Sequence, residues 1–328
     1  MMMLKKQNYE FMLHTLAPVH IGSGVKATSK EFIQENGEYY FPEMDKLYLF
    51  LEKNYSESLP AFEQYLLDSG NKTNKRKSRL IDFLNDQKIE ERDFGGFKIK
   101  QNNLVKNLGE VSLFIRDGLG NRYIPGSSLK GAIRTILESE YFRGRKIPWG
   151  AKKGKVFNDI FNNIRVSDSN SIEEMNFSVV QRWNYVKGKV PKGINIYREA
   201  LLPEQDVVFN ISAIGEKAIC LMNDLENMAE KHYLFYKEFF LDKGFDKKYI
   251  QDNIEAPIYL GAGSGIWTKT NIRQMDKEKI DRIQIKNKMK NQGVMKLTKY
   301  PTNINSKIVK TKDFYEMGKC NFEVKKKS

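Results

Sequence analysis

The segment 123–138 constrains this chain more than any other, because it indicates a tight turn that leads directly into an amphipathic helix. Pro125-Gly126 is a turn dipeptide, and the hydroxyl of Ser127 or Ser128 can cap the first free N–H groups of a helix. Apolar residues then recur at helical spacing, namely Leu129, Ala132, Ile133, Ile136 and Leu137. The sequence therefore predicts a strand end, a turn and a helix with one buried face.

Two cations, Lys130 and Arg134, stand four residues apart beside that apolar face, near the start of the helix. Free N–H groups at a helix N-terminus favour an anion, and Gly126 and Gly131 leave room for another backbone to approach. We interpret the segment as a phosphate-binding strand–turn–helix. An ordinary surface helix with a good cap fits it equally well, so that alternative stays open at this point.

The charge of the chain points to the same kind of ligand. Its 328 residues include 55 Lys and Arg against 41 Asp and Glu, a formal net charge of +14. Such an excess favours a nucleic-acid partner, with a charge that serves solubility as the alternative. Aromatic residues make up 12% of the chain, so we expect a folded body to carry the charge, not a disordered basic tail.

Two cysteines, Cys220 and Cys320, have no disulfide or metal-ligand spacing. We expect free thiols in a reducing compartment, no metal site and no cofactor. The chain has no apolar run of membrane-spanning length and no signal peptide, which predicts a cytoplasmic protein that does not bind membranes.

The distribution of strand and helix patterns predicts an α+β fold of ferredoxin-like sheet modules, one or two in number. Residues 9–21 predict a first strand that runs into the turn Gly22-Ser23-Gly24, and residues 31–41 predict a hairpin with Asn36-Gly37 as a type I′ turn. Residues 44–107 predict a helical insertion with a basic loop. The predicted domains are residues 1–215 and a C-terminal region, 216–328, that completes a second lobe.

A predicted hairpin at residues 177–202 carries three lysines at its tip, Lys187, Lys189 and Lys192, with Trp183 and Arg198 on its arms. A protruding basic and aromatic hairpin suits the stacking of bases and the binding of phosphates. The alternative is a surface hairpin whose lysines discourage edge pairing.

Two further segments differ from the rest of the chain in composition. Residues 144–155 are polar and glycine-rich and predict a mobile loop. Residues 216–242 predict an acidic helical region that suits a protein partner.

A second glycine-rich turn follows a strand pattern at residues 259–270 and is predicted to lead into a helix. Its glycines, Gly261, Gly263 and Gly265, match neither the dinucleotide-binding nor the P-loop spacing. Backbone N–H groups of such a turn can still cradle a phosphodiester. Residues 282–312 then contain nine basic residues and no acidic one, which adds to the predicted RNA-binding surface.

Four motifs in this order resemble the RAMP superfamily of CRISPR-associated proteins: His20-Ile-Gly-Ser-Gly24, the segment 123–134, Val166-Ser-Asp-Ser169 and the segment 260–265. The ending at residues 317–322 also resembles that superfamily. Within it, the chain is most similar to the family of fifth subunits of type III-A Csm effector complexes. The similarity extends over nearly the whole chain.

This resemblance implies an RRM-like ferredoxin fold with a thumb hairpin at residues 177–202. It implies a place at the end of the complex's backbone filament, where the subunit caps the 3′ part of the crRNA and adjoins neighbouring backbone and small subunits. Implied partners also include target RNA and recruited cellular nucleases that trim the crRNA 3′ end in antiviral defence. With nearby basic and aromatic residues added, the predicted RNA-binding residues are His20, Gly22, Ser23, Gly24, Arg116, Gly126, Ser127, Ser128, Lys130, Arg134, Trp183, Lys187, Lys189, Lys192, Arg198, Gly261, Gly263, Ser264, Gly265, Trp267 and Lys269.

An enzymatic role is the alternative, because some relatives cleave RNA. Of the three histidines, only His20 lies beside a glycine turn, so it is the one candidate for acid–base cleavage by a RAMP endoribonuclease. Relatives that slice target RNA use an Asp after the first glycine turn, whereas residues 25–34 contain only Glu31. We therefore expect a non-catalytic RNA-binding subunit. A general RNA chaperone outside CRISPR is the third hypothesis.

Overall fold

The computed structural model describes residues 5–67, 79–101, 108–141, 160–252, 255–286, 293–300, 303–304, 307–308 and 314–327. Its helices are α1 Met44–Asn54, α2 Leu59–Leu67, α3 Leu80–Asp86, α4 Gly126–Glu140, α5 Glu216–Asn223, α6 Leu225–Phe239 and α7 Lys277–Lys286. Its strands are β1 Lys6–Thr15, β2 Gly22–Thr28, β3 Ile33–Glu35, β4 Glu38–Phe41, β5 Phe97–Lys100, β6 Glu110–Phe114, β7 Ile164–Val166, β8 Phe177–Val186, β9 Lys192–Leu201, β10 Asp206–Ile214, β11 Pro257–Tyr259, β12 Val294–Lys299, β13 Asn303–Ile304, β14 Lys307–Ile308, β15 Phe314–Glu316 and β16 Lys319–Lys327.

A five-stranded sheet with the order β11-β16-β1-β10-β7 has only antiparallel neighbours. Strand β1 lies in its middle and buries every second side chain, Tyr9, Phe11 and Leu13, as expected for a strand with one face on the core. Helices α4 and α6 contact each other, and their apolar residues share one core with this sheet. The sheet draws strands from both sides of residue 215, and the division there stays a prediction.

A larger, nine-stranded sheet has the order β2-β6-β9-β8-β5-β4-β3, and β12 joins it beside β8, followed by β15. The predicted hairpin of β8 and β9 is present, and its two arms are antiparallel from Phe177↔Leu201 to Asn184↔Lys192. The expectation that this hairpin stands free of the sheet is wrong, whereas a thumb role for its tip stays a prediction. Its arms pair with β12, β5 and β6, because β8 and β9 are inner strands of the sheet.

Several local predictions are confirmed. Asn36 and Gly37 both have positive φ, 51° and 78°, as a type I′ turn between β3 and β4 requires. The insertion at residues 44–107 contains α1, α2 and α3, which pack around residues such as Leu47, Phe62 and Leu84. The basic loop at 72–78 and the glycine-rich segment 144–155 lie outside the described residues, as does much of 282–312.

Helix α4 was predicted correctly, but its cap was not. Neither Ser127 nor Ser128 caps it. The N–H of Gly126 instead donates to the Asp168 carboxylate at 2.7 Å, from a loop that follows β7. A Cβ at Gly126 would lie 2.3 Å from the carbonyl oxygen of Ser167, so glycine is needed for this close approach. At Gly131 nothing in the described chain lies within 4 Å of a Cβ built there, so a close approach at this position stays a prediction.

Candidate nucleic-acid interface

The glycine segments meet where the chain passes between the two sheets. The N–H of Ala262 donates to the carbonyl of His20 at 2.8 Å, and the N–H of Leu260 donates to the carbonyl of Gly318 at 2.8 Å. The N–H of Gly318 in turn donates to the carbonyl of Pro18 at 2.9 Å. These bonds join the β1–β2 connection, the turn after β11 and the β15–β16 turn, so three distant parts of the sequence form one backbone-lined junction.

Glycine is required at two positions of this junction. Gly261 has φ +71°, and a Cβ there would lie 2.2 Å from the carbonyl oxygen of His20. Gly318 has φ +84°, and its Cβ would lie 2.3 Å from the carbonyl oxygen of Leu260. Since both obstacles are backbone atoms, no side-chain movement can relieve them.

Four cations surround the junction, and we call them the glycine-turn cations: Arg182 on β8, Arg198 on β9, Lys269 after the turn, and Lys296 on β12. A Cβ at Gly263 would lie 3.0 Å from Nη1 of Arg198, and one at Gly265 would lie 3.8 Å from Cγ of Lys296. The ammonium of Lys269 donates to the carbonyl of Gly261. The turn therefore lies directly against these side chains.

The charges of this group are not compensated by any acidic residue in the part of the chain that the structure describes. Burial lowers the pKa of Lys296 to about 8, and the nearby charge of Arg182 adds to that effect. Partial burial of its ammonium lowers the pKa of Lys269, which the charge of Arg198 lowers further. Burial and then the Arg182 charge lower the pKa of Arg198 in the same way. Among the described residues, no Asp or Glu forms an ion pair with any of the four, so a bound anion would relieve this repulsion.

His20 belongs to the junction as a buried, neutral residue. Its side chain is 2% exposed, and because a carbonyl only accepts, Nδ1–H donates to the Glu199 carbonyl at 2.6 Å. Burial lowers the pKa of His20 to about 4, which outweighs the opposing effect of that hydrogen bond. A Cβ at Gly22 would lie 3.1 Å from Nε2. The ring thus supports the backbone of the first glycine motif.

That first motif, residues 22–24, is exposed and begins β2, so the predicted free turn is instead a strand start. Pairing with β6 is irregular between Gly22 and Lys26, as in a β-bulge. Gly24 has φ +87°, and the hydroxyl of Ser23 donates to the Leu113 carbonyl at 3.2 Å. The irregular pairing leaves backbone groups available to a ligand at this edge.

Arg116, one of the predicted RNA-binding residues, is committed to the protein interior. Its guanidinium is 2.7 Å from the Glu199 carboxylate and 3.7 Å from the ring centre of Phe97. The same carboxylate, fully buried, also accepts from Arg122 at 2.5 Å. Burial lowers the pKa of Arg116, against the opposing Glu199 charge. We assign Arg116 a structural role.

The α4 residues are placed differently from expectation. Arg134 is paired with Glu138 at 2.5 Å and lies 4.4 Å from the ring centre of Phe161, while Lys130 is half-buried. Asp168 already occupies the first N–H of the helix. The anion site that the sequence predicts at this N-terminus is therefore filled by a carboxylate of the chain itself.

The hairpin residues are divided between surface and interior. Lys187, Lys189 and Lys192 are exposed, and the stem of Lys187 lies against Gly244. Trp183 contacts Phe314 edge-on at 5.2 Å between ring centres, so its ring is partly used in packing. The tip therefore offers lysines more than a free stacking surface.

Two further predicted residues are buried, Ser264 and Trp267, each with 7% exposure or less. Trp267 belongs to a single 3-10 turn, Trp267–Lys269, where a longer helix was expected. Two of the glycine-turn cations, Arg182 and Lys296, are not among the binding residues predicted from the sequence. Lys296 lies in the basic segment 282–312, and Arg182 directly precedes Trp183. The two residues are more than 100 positions apart in the sequence, so no sequence pattern indicated that they would meet.

Within the described ranges, no three His, Cys, Asp or Glu side chains are grouped so that they could hold a metal ion. None of the described helices combines the length and apolar composition that a membrane span needs.

Comparisons with known proteins agree with this architecture. Residues 12–283 match the family model of the RAMP superfamily. The chain is 43% identical to the CRISPR system Cms protein Csm5 of Streptococcus thermophilus, over 97% of this chain and 98% of that protein. It is 26% identical to Csm5 of Enterococcus italicus, over 80% and 79% of the two chains.

Two solved structures share the fold. A chain of a cryo-EM structure of a Csm–crRNA–target RNA ternary complex of a type III-A CRISPR-Cas system superposes with a TM-score of 0.63 at 17% identity, covering 96% of this chain and all of that chain. The crystal structure of T. onnurineus Csm5 gives a TM-score of 0.58 at 16% identity, covering 94% and 99%. The chain belongs to the RAMP superfamily and, within it, to the Csm5 family.

Proposed function

We propose that this chain is a non-catalytic, crRNA-binding subunit of a type III-A CRISPR effector complex. Its relatives are Csm5 proteins, and a chain of similar fold belongs to a Csm complex with crRNA and target RNA. The observation that carries the proposal is the set of glycine-turn cations, which lie against the backbone of the 261–265 turn and have no paired carboxylate among the described residues.

This arrangement suits the backbone of single-stranded RNA. Phosphates would bind Arg198 and Lys269, while backbone groups of residues 22–24 and 261–265 approach the strand closely. Such contacts fix the position and register of an RNA without reading its sequence. We therefore propose binding that depends on charge and backbone shape, with the lysines at the tip between β8 and β9 acting as a thumb.

We further propose that β1, α4, β7, β10, α5–α6 and β16 form one ferredoxin-like module. A helix follows the first and third of these strands, and the sheet order β16-β1-β10-β7 with antiparallel neighbours fits a β-α-β-β-α-β unit. In this proposal the module ends the backbone filament, caps the 3′ part of the crRNA and supports trimming of that end by recruited nucleases.

The endoribonuclease alternative is not favoured. Acid–base cleavage needs a histidine that reaches the RNA and exchanges protons near neutral pH. The His20 ring is 2% exposed, its Nδ1 is bonded to a carbonyl, and burial lowers its pKa to about 4. A residue in that state supports the fold of the glycine junction and does not serve as a general acid.

The test is sequencing of crRNA from affinity-purified complexes assembled with and without this subunit. We expect complexes without it to retain longer, untrimmed crRNA or to lose protection at the 3′ end, because the cap positions that end for trimming. A His20→Asn complex whose subunit keeps the parent melting temperature serves as control and should give crRNA of normal length. Unchanged crRNA ends without the subunit would contradict the capping role, and loss of trimming in this correctly folded control would revive the enzymatic alternative.

A further inference from the structure

A pocket of about 340 Å³ lies behind the second glycine turn, between that turn, helix α6 and strands β8 and β12. Its lining includes Arg182 and Lys296, the turn residues 264–267, and rings of α6 and its C-terminus. The volume falls within the range of small-molecule sites. Two of the four glycine-turn cations therefore line a concave site.

The described residues that line the pocket include two cations and no carboxylate. Nε of Arg182 is buried and has no hydrogen-bond partner among the residues that the structure describes. The ammonium of Lys296 is bonded to the neutral amide oxygen of Asn184 at 3.1 Å. A buried donor without a partner costs stability, and two cations without a carboxylate repel each other. A phosphate between Arg182 and Lys296 would supply both the acceptor and the charge.

The lining of the pocket also contains three aromatic rings. Trp267, Tyr236 and Phe240 line it, and all three are nearly buried in the same apolar cluster. A lining that combines flat rings with cations fits a ligand that has a planar apolar part joined to a phosphate. A nucleotide has this composition, and base stacking on aromatic side chains is a common element of single-strand recognition.

We propose that this pocket binds one nucleotide of the bound RNA, splayed out of the strand, with its phosphate on Arg182 and Lys296 and its base against the aromatic rings. The inference rests on the proposed RNA-binding function and adds a defined subsite to it. Free mononucleotides share the same chemistry, so the experiment separates them from RNA. Within the RNA, the strand end is the part that can enter a pocket without bending back on itself.

The experiment is photo-crosslinking of a short single-stranded RNA that carries one 4-thiouridine, either at its 3′ end or in its middle, with mapping of the crosslinked peptides. We expect the 3′-terminal label to crosslink to the peptides that contain Phe240 or Trp267. Lys296→Met should reduce this crosslink at least fivefold, with its melting temperature as a check of folding. Lys53→Met, which removes an exposed lysine on α1 outside the glycine junction, should leave the crosslink unchanged.

Several outcomes overturn the proposal. Crosslinks confined to residues 22–24 and 261–263, with RNA affinity intact, would remove the pocket and leave the proposed function standing. Absence of RNA binding altogether would overturn both. If uridine monophosphate blocks labelling of the pocket by a photoreactive mononucleotide while 3′-labelled RNA does not crosslink there, the ligand is a free nucleotide and the assignment to RNA is wrong.

Discussion

Burial lowers the pKa of two basic residues of the glycine junction, but the charge state that results at neutral pH differs between them. It lowers the pKa of His20 to about 4 and that of Lys296 to about 8. At neutral pH the histidine is therefore neutral and the lysine is still mostly charged. The buried His20 ring donates a hydrogen bond to the backbone carbonyl of Glu199. Lys296 instead keeps its positive charge up to a pH of about 8.

This difference predicts a pH dependence of RNA binding. Lys296 loses its proton as pH rises through about 8, so a phosphate contact that needs the charged form weakens above that pH. We expect RNA affinity to fall about three- to tenfold between pH 7 and pH 9, the equivalent of about 0.7–1.4 kcal/mol.

Fluorescence anisotropy at constant ionic strength measures this effect, with Lys296→Arg as the matched control. Arginine stays charged throughout the range, so the variant should bind RNA nearly equally at both pH values. An equal loss of affinity in the variant would show that another group is responsible.

At the scale of elements, helix α4 shows how a local pattern and a distant contact combine. Its length and buried face follow from apolar spacing within the helix. Its cap does not, because Asp168 is 42 residues away from Gly126. The capping carboxylate also brings the 166–169 loop against Gly126, so a motif that resembles an RNA-binding element in sequence has a structural function.

Two glycines of this helix make a matched pair of alanine substitutions. Gly126→Ala would place a Cβ 2.3 Å from the backbone of Ser167, so we expect it to destabilise the fold by at least about 2 kcal/mol. Gly131 is exposed, with nothing within 4 Å of a Cβ, so Gly131→Ala should stabilise it by about 0.5–1 kcal/mol. Urea unfolding of both variants measures this; equal effects would contradict the close approach at Gly126.

Elements whose signals are local were predictable from the sequence, whereas contacts between elements were not. The Asn36-Gly37 turn and helix α4 each have a pattern within a few residues. The hairpin of β8 and β9 was also recognised, but the pattern contained no information about β12, which lies beside it in the sheet. This is why the hairpin was expected to protrude.

At the scale of the whole molecule, the glycine segments lie where the chain crosses between sheets. The β1–β2 connection and the β15–β16 turn both pass from one sheet to the other, and the turn after β11 bonds to both at His20 and Gly318. Three strands of the larger sheet and this turn contribute the four cations. These side chains come together because of the order of the strands in the sheet. The sequence could therefore indicate Arg198 and Lys269 as candidate RNA-binding residues, but not that they belong to a group of four cations.

The most direct test of this account is the affinity of the purified protein for single-stranded RNA as a function of salt. The double variant Arg198→Ala, Lys269→Ala is compared with Lys53→Ala, Lys326→Ala, which removes two exposed lysines elsewhere and has the same net charge. Loss of two phosphate contacts should reduce the slope of log affinity against log salt by about 1.4 and weaken binding at least tenfold, while the control pair stays near the parent protein. Equal losses in both variants would show that RNA binds to the overall charge of the molecule and not to the glycine junction.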